Sequence, residues 1–374
     1  MREPHTFEAS VRKQSTYTIV ETRDILTREN HLLRDAIERS PVFVVIDQRV
    51  SDLYGPALHH YFTTRDVTLL GWTEIIADEA RKDWARLGDT LSALIASGLP
   101  RNGAILAIGG GVTMDLAGCA AALYRRGVRY IRIPTTLLGQ VDAGIGIKSG
   151  INHVGKKSAV GVFYPPAIVI NDSLFLATLE RNQIVSGLAE IVKVALALDA
   201  KLFELLEASG RDLVNSHFQI APGEEVIRRA IELLIAEIAG NPFEADLRRI
   251  ADFGHTFSPT LESHSGFCLT HGGAVALDLL LSTALSVAKR ACDAGCLSRL
   301  MNLYVETGLP YNVEMYERSL FIQAMSASRA HRAGALNLVV PKAIGQAAFT
   351  EHISMDELDN ALDLIRQVNP TGVG

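Results

Sequence analysis

The 374-residue chain reads as an α/β domain followed by an all-α, mostly helical domain. Two observations predict this. Up to about Asn171, short β-branched runs alternate with longer helical patterns, the mark of a mainly parallel sheet covered by helices. Beyond Asp172 the period changes to long amphipathic stretches.

In order, "TYTIVE", "VFVVID", "VTLLG", "AILAIGGG", "VRYIRIPTT" and "AIVIND" read as strands, with helical segments between several of them. The second half carries "EEVIRRAIELLIAEIAG" and "GGAVALDLLLSTALSVAKRA", broken by a hairpin at "LNLVVP" and "AAFTEHI". No internal repeat or low-complexity linker divides the chain. The change of period alone sets the expected domains at 1–171 and 172–374, with shared chemistry in the cleft between them.

Composition narrows the function classes. Hydrophobic residues make up 48% and charged residues 21%, which suits a globular protein with a large core. A formal charge of -6 with no run of like charges gives no polyanion-binding surface, so no nucleic-acid partner is expected. No apolar signal core opens "MREPHTFEAS", and no uninterrupted apolar run reaches the roughly 18 residues of a membrane span. The expected setting is the cytoplasm, with no membrane partner. Four irregularly spaced cysteines suggest neither a disulfide scaffold nor a thiolate zinc site. Any metal therefore needs histidine and carboxylate ligands.

"AILAIGGGVTMDLAG" is a buried strand, a turn at Gly109, Gly110 and Gly111, and a helix beginning near Val112. Glycines let a ligand approach backbone amides, and a helix start offers unpaired N–H groups to a phosphate such as a dinucleotide pyrophosphate. Asp47 ends "VFVVID", where a carboxylate can take ribose hydroxyls, and Thr135 and Thr136 lie at another strand end. Capping and turn chemistry explain each of these singly.

Three of eleven histidines fall in "ADFGHTFSPTLESHSGFCLTHGG". His255 and His271 each precede a helical pattern, while His264 lies in polar "ESHSG" and reads as solvated. Catalytic zinc commonly takes three protein ligands. Glu190 in "GLAEIVKVALAL" is the candidate third, with Lys193 on the same face of an apolar helix. Spacing alone leaves open a structural Glu190–Lys193 pair and two core histidines. "LLGQVDAGIGIKSGINHVGKKSAVGVFYPP" carries Asp142, Lys148, Asn152, Lys156 and Lys157 on a segment too irregular for a long helix. Lysines on a loop between domains suit a phosphorylated substrate, and Arg125 adds a donor fork nearby.

Taken together, "GGGVTMDLAG", "RRGVRYIRIPTTLLGQVDAGIGIKSG", "GLAEIVK", "DFGHTFSPTLE" and "LTHGGAV" resemble the dehydroquinate synthase superfamily, the sugar phosphate cyclases. The likeness runs from about Thr16 to Ile365. It implies a Rossmann-like NAD-binding domain, a helical metal-binding domain and a homodimer. It implies zinc, with cobalt as the alternative ion, on Glu190, His255 and His271. By the same resemblance Asp47, Glu79, Lys82, Gly110, Gly111, Val112, Asp115, Thr135 and Thr136 serve NAD. Asp142, Lys148, Lys157, Lys193 and Arg248 match substrate-contacting positions, and Arg125 one that reaches the neighbouring subunit's phosphate site.

Departures from the dehydroquinate synthase pattern point to a branch. "DFGHTFSP" places Asp252 and Pro259 where those enzymes carry asparagine and histidine. A carboxylate at Asp252 repels a substrate carboxylate but accepts hydrogen bonds from hydroxyls. This resembles the 2-epi-5-epi-valiolone synthases, which cyclise sedoheptulose 7-phosphate, and His331 also matches a histidine of that group. Ser158 and Gly273 depart from the pattern, "AGNPFEADL" resembles the desmethyl-4-deoxygadusol synthases, and Arg248 keeps 3-dehydroquinate synthase in view. The implied reaction takes a phosphorylated ketose through transient NAD reduction, phosphate elimination, hydride return and aldol closure, giving 2-epi-5-epi-valiolone or its epimer 2-epi-valiolone. The rival of another class is a metal-dependent NAD polyol or glycerol-phosphate dehydrogenase, which accumulates NADH.

Overall fold

The computed structural model describes residues 6–10, 15–311 and 317–368. Its first half contains β1 (Thr18–Thr22), α1 (Leu32–Ile37), β2 (Val42–Asp47), α2 (Gln48–Thr64), β3 (Leu69–Ile75) and α3 (Trp84–Ser97). It continues with β4 (Ala104–Gly109), α4 (Gly111–Leu123), β5 (Arg129–Pro134), β6 (Lys148–His153), β7 (Lys156–Phe163) and β8 (Ile168–Asp172). The second half holds α5 (Arg181–Leu198), α6 (Ala200–Asn215), α7 (Pro222–Ala239), α8 (Ser258–His264), α9 (His271–Ala288), α10 (Ala294–Thr307) and α11 (Arg318–His331). It closes with β9 (Leu338–Ala343), β10 (Gln346–Thr350) and α12 (Met355–Val368).

Six strands form one parallel sheet in the order β1-β8-β5-β4-β2-β3. Continuous apolar runs such as "VFVVID" and "AILAIG" suit central parallel strands, because helices cover both faces. Alternation divides the load: Val42, Val44 and Ile46 pack with α1 and α2, while Phe43 and Val45 pack with α3 and α4. The chain leaves β2 for β3 on one side and returns to β4 on the other. That reversal opens a crevice between Asp47 and the Gly110 turn, where α/β sheets bind ligands.

The lysine-bearing segment departs from an irregular loop. It forms a π turn at Gly139–Ala143 and then the antiparallel hairpin β6–β7, which packs on α4. Gly118 makes this contact possible, since a Cβ there would lie 2.0 Å from Ser149 Oγ. The frequent glycines mask the β pattern in the sequence because they remove the side chains that show alternation.

In the helical half α9 is wrapped by α5, α8, α10 and α12. Among the described residues α9 alone is long and apolar enough to cross a membrane, and 83% of it is buried inside the fold. It is the spine of the core. The expected hairpin is β9–β10.

Candidate active site and metal centre

Two helices and one tight turn build the candidate metal centre. Glu190 lies in the buried middle of α5, His271 is the first residue of α9, and His255 sits in the turn before α8. One ligand atom from each lies within 4.8 Å of the others, the only such group of three or more among the described residues. Gly272 allows the approach: a Cβ there would stand 1.9 Å from Ser186 O, one helical turn before Glu190. Its amide instead donates to Ser186 Oγ at 3.1 Å.

The donors match a divalent cation. Both Glu190 oxygens are buried and neither accepts a well-directed hydrogen bond, although His271 Nε2 lies 3.1 Å away and Lys193 Nζ 2.5 Å away. A buried carboxylate left so under-satisfied fits a metal ligand. Burial opposes its ionisation, but Lys193 and the two imidazoles outweigh that and hold it well below its ordinary value. His255 Nδ1 donates to Phe253 O at 3.0 Å, leaving Nε2 toward Glu190. Burial, with Lys193 and His271 beside it, lowers the His255 pKa and favours the neutral ligand form. His271 Nδ1 faces Glu262 Oε1 at 3.0 Å, the arrangement that fixes a ligating imidazole's tautomer. Burial and Lys157 push the His271 pKa down, yet hydrogen bonds to Glu190 and Glu262 prevail and carry it to about 9. That proton occupies the place a metal would take.

A cleft of ≈ 1610 Å³ joins this centre to the Gly110 turn. Of the residues expected to serve NAD, all nine line it. The start of α4 has no side-chain cap, so its first amides are available to a pyrophosphate. Asp47 also performs the ordinary task, its Oδ1 accepting from Arg49 and Val50 N–H at the start of α2. Thr136 Oγ1 likewise accepts from Gly139 N. Lys82 is buried at 2% exposure between Asp115 and Glu79, at 2.8 and 3.1 Å. Burial lowers its pKa, but those two carboxylates overcome it and keep the ammonium charged. Asn152 ties Glu79 and the amide of Ser158 to the same corner.

Of the residues expected to serve the substrate, Asp142, Lys148, Lys157, Lys193, Arg248 and Asp252 also line the cleft. Lys193 reaches Asp142 at 3.4 Å. Burial works against its charge, and Asp142 and Glu190 restore it. Lys157 pairs with Glu262 at 2.5 Å and stands 3.2 Å from His271 Nδ1. Lys148 pairs with Glu244 at 2.8 Å.

Two expected residues lie elsewhere. Arg125 is exposed, with its Nε donating to Leu99 O and its guanidinium over Tyr124, off the cleft of its own chain. His331 ends α11 exposed to solvent and does not line the cleft, because the helix turns its neighbour inward. That neighbour, Arg332, donates to Asp252 Oδ2 at 2.9 Å. Arg248 stacks on Phe349 at 4.6 Å, while Arg249 is the arginine that reaches Asp252. Sequence reasoning also gave no role to Glu262 or Glu244. Nothing in "RR" separates Arg248 from Arg249, and Glu262, in the polar "TLESHSG", carried no signal beyond its nearness to the histidines. His264 is exposed as expected, at the end of α8 rather than in a loop.

The family model for the 3-dehydroquinate synthase N-terminal domain matches residues 72–186, and that for the C-terminal domain matches 187–330. A 2-epi-5-epi-valiolone synthase from Streptomyces hygroscopicus subsp. jinggangensis is 37% identical across 95% of this chain and 88% of its own. A 3-dehydroquinate synthase from Dehalococcoides mccartyi is 33% identical across 93% of this chain and 96% of its own. The solved structure of the Streptomyces enzyme ValA, with NAD+ and Zn2+ bound, superposes with a TM-score of 0.93 at 36% identity, covering 96% of this chain and 99% of that one. The fold, the sequence likeness and the ligand-donor geometry agree, and the chain belongs to the dehydroquinate synthase superfamily, the sugar phosphate cyclases.

Proposed function

We propose that this protein cyclises sedoheptulose 7-phosphate, with loss of phosphate, to 2-epi-5-epi-valiolone or its epimer 2-epi-valiolone. The observation that carries the reading is one cleft lined by His255 and His271, with Glu190 behind them completing the donor set, by the uncapped Gly110 turn and by the three cationic side chains Lys148, Lys157 and Lys193. When bound, zinc supplies Lewis acidity toward substrate oxygens and NAD a reversible hydride acceptor, so no net oxidation results.

The chain's own residues do the rest. Lys157 and Lys148 offer point charges to the phosphate, whose departure they favour by neutralising it. Lys193, kept charged by its carboxylate neighbours, donates hydrogen bonds to a substrate oxygen, and Asp142 Oδ accepts a hydroxyl proton. Asp252 faces the head group as an acceptor. We take the NAD unit as 1–171 and the zinc and substrate unit as 172–374, acting as a cytoplasmic homodimer. The exposed position of Arg125 off its own cleft supports its use by a partner subunit.

A polyol dehydrogenase has no need of lysines to steer a departing phosphate. The test is incubation with sedoheptulose 7-phosphate, zinc and catalytic NAD, following phosphate, NADH and product stereochemistry. Phosphate released without steady NADH supports the cyclase; NADH rising with no phosphate overturns it.

A further inference from the structure

Asp252 is held from two sides. Its Oδ2 takes Arg332 Nη2 at 2.9 Å, and its Oδ1 takes Arg249 Nη2. Arg332 is itself fixed: Nη1 donates to Leu336 O at 2.7 Å and to Ser328 Oγ at 2.9 Å, and the side chain is 6% exposed. Arg249 Nη1 is engaged by Glu244, whose Oε1 also holds Lys148. Arg249 thus meets two carboxylates of this same chain, and Arg332 meets Asp252, a backbone carbonyl and a hydroxyl. Asp252 alone of the Arg332–Asp252 pair lines the cleft, with its side chain 13% exposed.

We propose that Arg332, rather than the neighbouring His331, is the residue at the end of α11 that sets substrate specificity, acting through Asp252 as a positioning residue. The inference rests on the cyclase reading above. A carboxylate accepts about four hydrogen bonds. Two are spent on the arginines, which fixes the plane of the group, and the remaining lone pairs meet the substrate as acceptors only. The group placed against them must bring a hydrogen, as a head-group hydroxyl does. Without Arg332 the carboxylate is held by Arg249 alone and is free to turn about that contact, and hydrogen bonding weakens steeply with misalignment.

The test compares sedoheptulose 7-phosphate with its 1-deoxy analogue, which carries CH3 in place of the terminal CH2OH, in wild type, Arg332→Gln, Arg332→Lys and His331→Ala. Wild-type turnover of sedoheptulose 7-phosphate is the control for the function itself; its absence sinks the cyclase reading rather than this inference. Given turnover, Arg332→Gln raises KM for the hydroxyl substrate at least ten-fold and cuts the kcat/KM preference over the deoxy analogue at least five-fold. Arg332→Lys, retaining a donor, recovers part of that preference, and His331→Ala keeps all of it. A merely structural role lowers kcat/KM for both substrates alike, so an unchanged preference in Arg332→Gln overturns the proposal, as does its loss in His331→Ala. If Arg332→Gln does not fold, the Arg332→Lys comparison decides on the same criterion.

Discussion

Glu262 Oε1 lies 3.0 Å from His271 Nδ1, on the opposite side of the ring from Glu190. Burial resists ionisation of Glu262, but His271 and Lys157 outweigh it and bring its pKa to about 2. A firmly ionised acceptor on Nδ1 orients the ring and leaves Nε2 as the ligating atom. Glu262→Gln should weaken zinc binding by roughly ten- to a hundred-fold, the usual cost of losing such a partner. Competition with a chelating dye measures it, and unchanged affinity would show that α9 alone orients the ring.

Removing Lys193 should expose the cost of the buried Glu190 carboxylate. In Lys193→Met the metal-free protein is expected to lose roughly 3–5 kcal/mol, the usual penalty for leaving one buried charge unpaired. Zinc then becomes the counter-charge, so the deficit should shrink on metal addition and zinc should bind more tightly than in wild type. Thermal melts with and without zinc decide this, and equal deficits in both would refute it.

Gly272→Ala should separate α9 from α5. The new Cβ meets Ser186 O at 1.9 Å, backbone that has nowhere to move. A loss of about 1–3 kcal/mol, the range for overpacking, with weakened zinc binding is the expected result. Gly240→Ala, whose Cβ meets nothing within 4 Å, serves as the control and should stay near wild type.

Asp278 gives a pH dependence away from the metal. Burial raises its pKa to about 6, against the opposing hydrogen bonds from Phe257 and Ser258 N–H and from Ser282. The unfolded carboxyl ionises near 3.8, so between there and about 6 the native state binds more protons. Stability contributed by this residue is therefore greatest below that window and falls as pH rises through it, by roughly 3 kcal/mol in all. Asp278→Asn keeps an acceptor for the two amides and abolishes the slope. Urea unfolding at pH 4 and pH 7 should show the variant gaining on wild type at the higher pH; a constant difference would count against the shift.

The alternation of β-branched runs with helical patterns sufficed for the parallel sheet, because a strand buried on both faces must be apolar throughout. The glycine turn and the histidines of "DFGHTF" and "LTHGG" were equally legible, since backbone approach and metal ligation each require particular residue types at particular places. The hairpin β6–β7 was not, because its glycines erase the period that marks a strand. Nor did the chain's order reveal that α11 turns Arg332 inward and His331 outward, or that Arg249 and not Arg248 meets Asp252. The sequence by itself determined the parallel strands, the long helices and the chemical kinds at the site. Only the tertiary structure decided which of two adjacent side chains reaches Asp252, because that depends on the rotation of each element against its neighbours, a long-range packing outcome that local pattern does not encode.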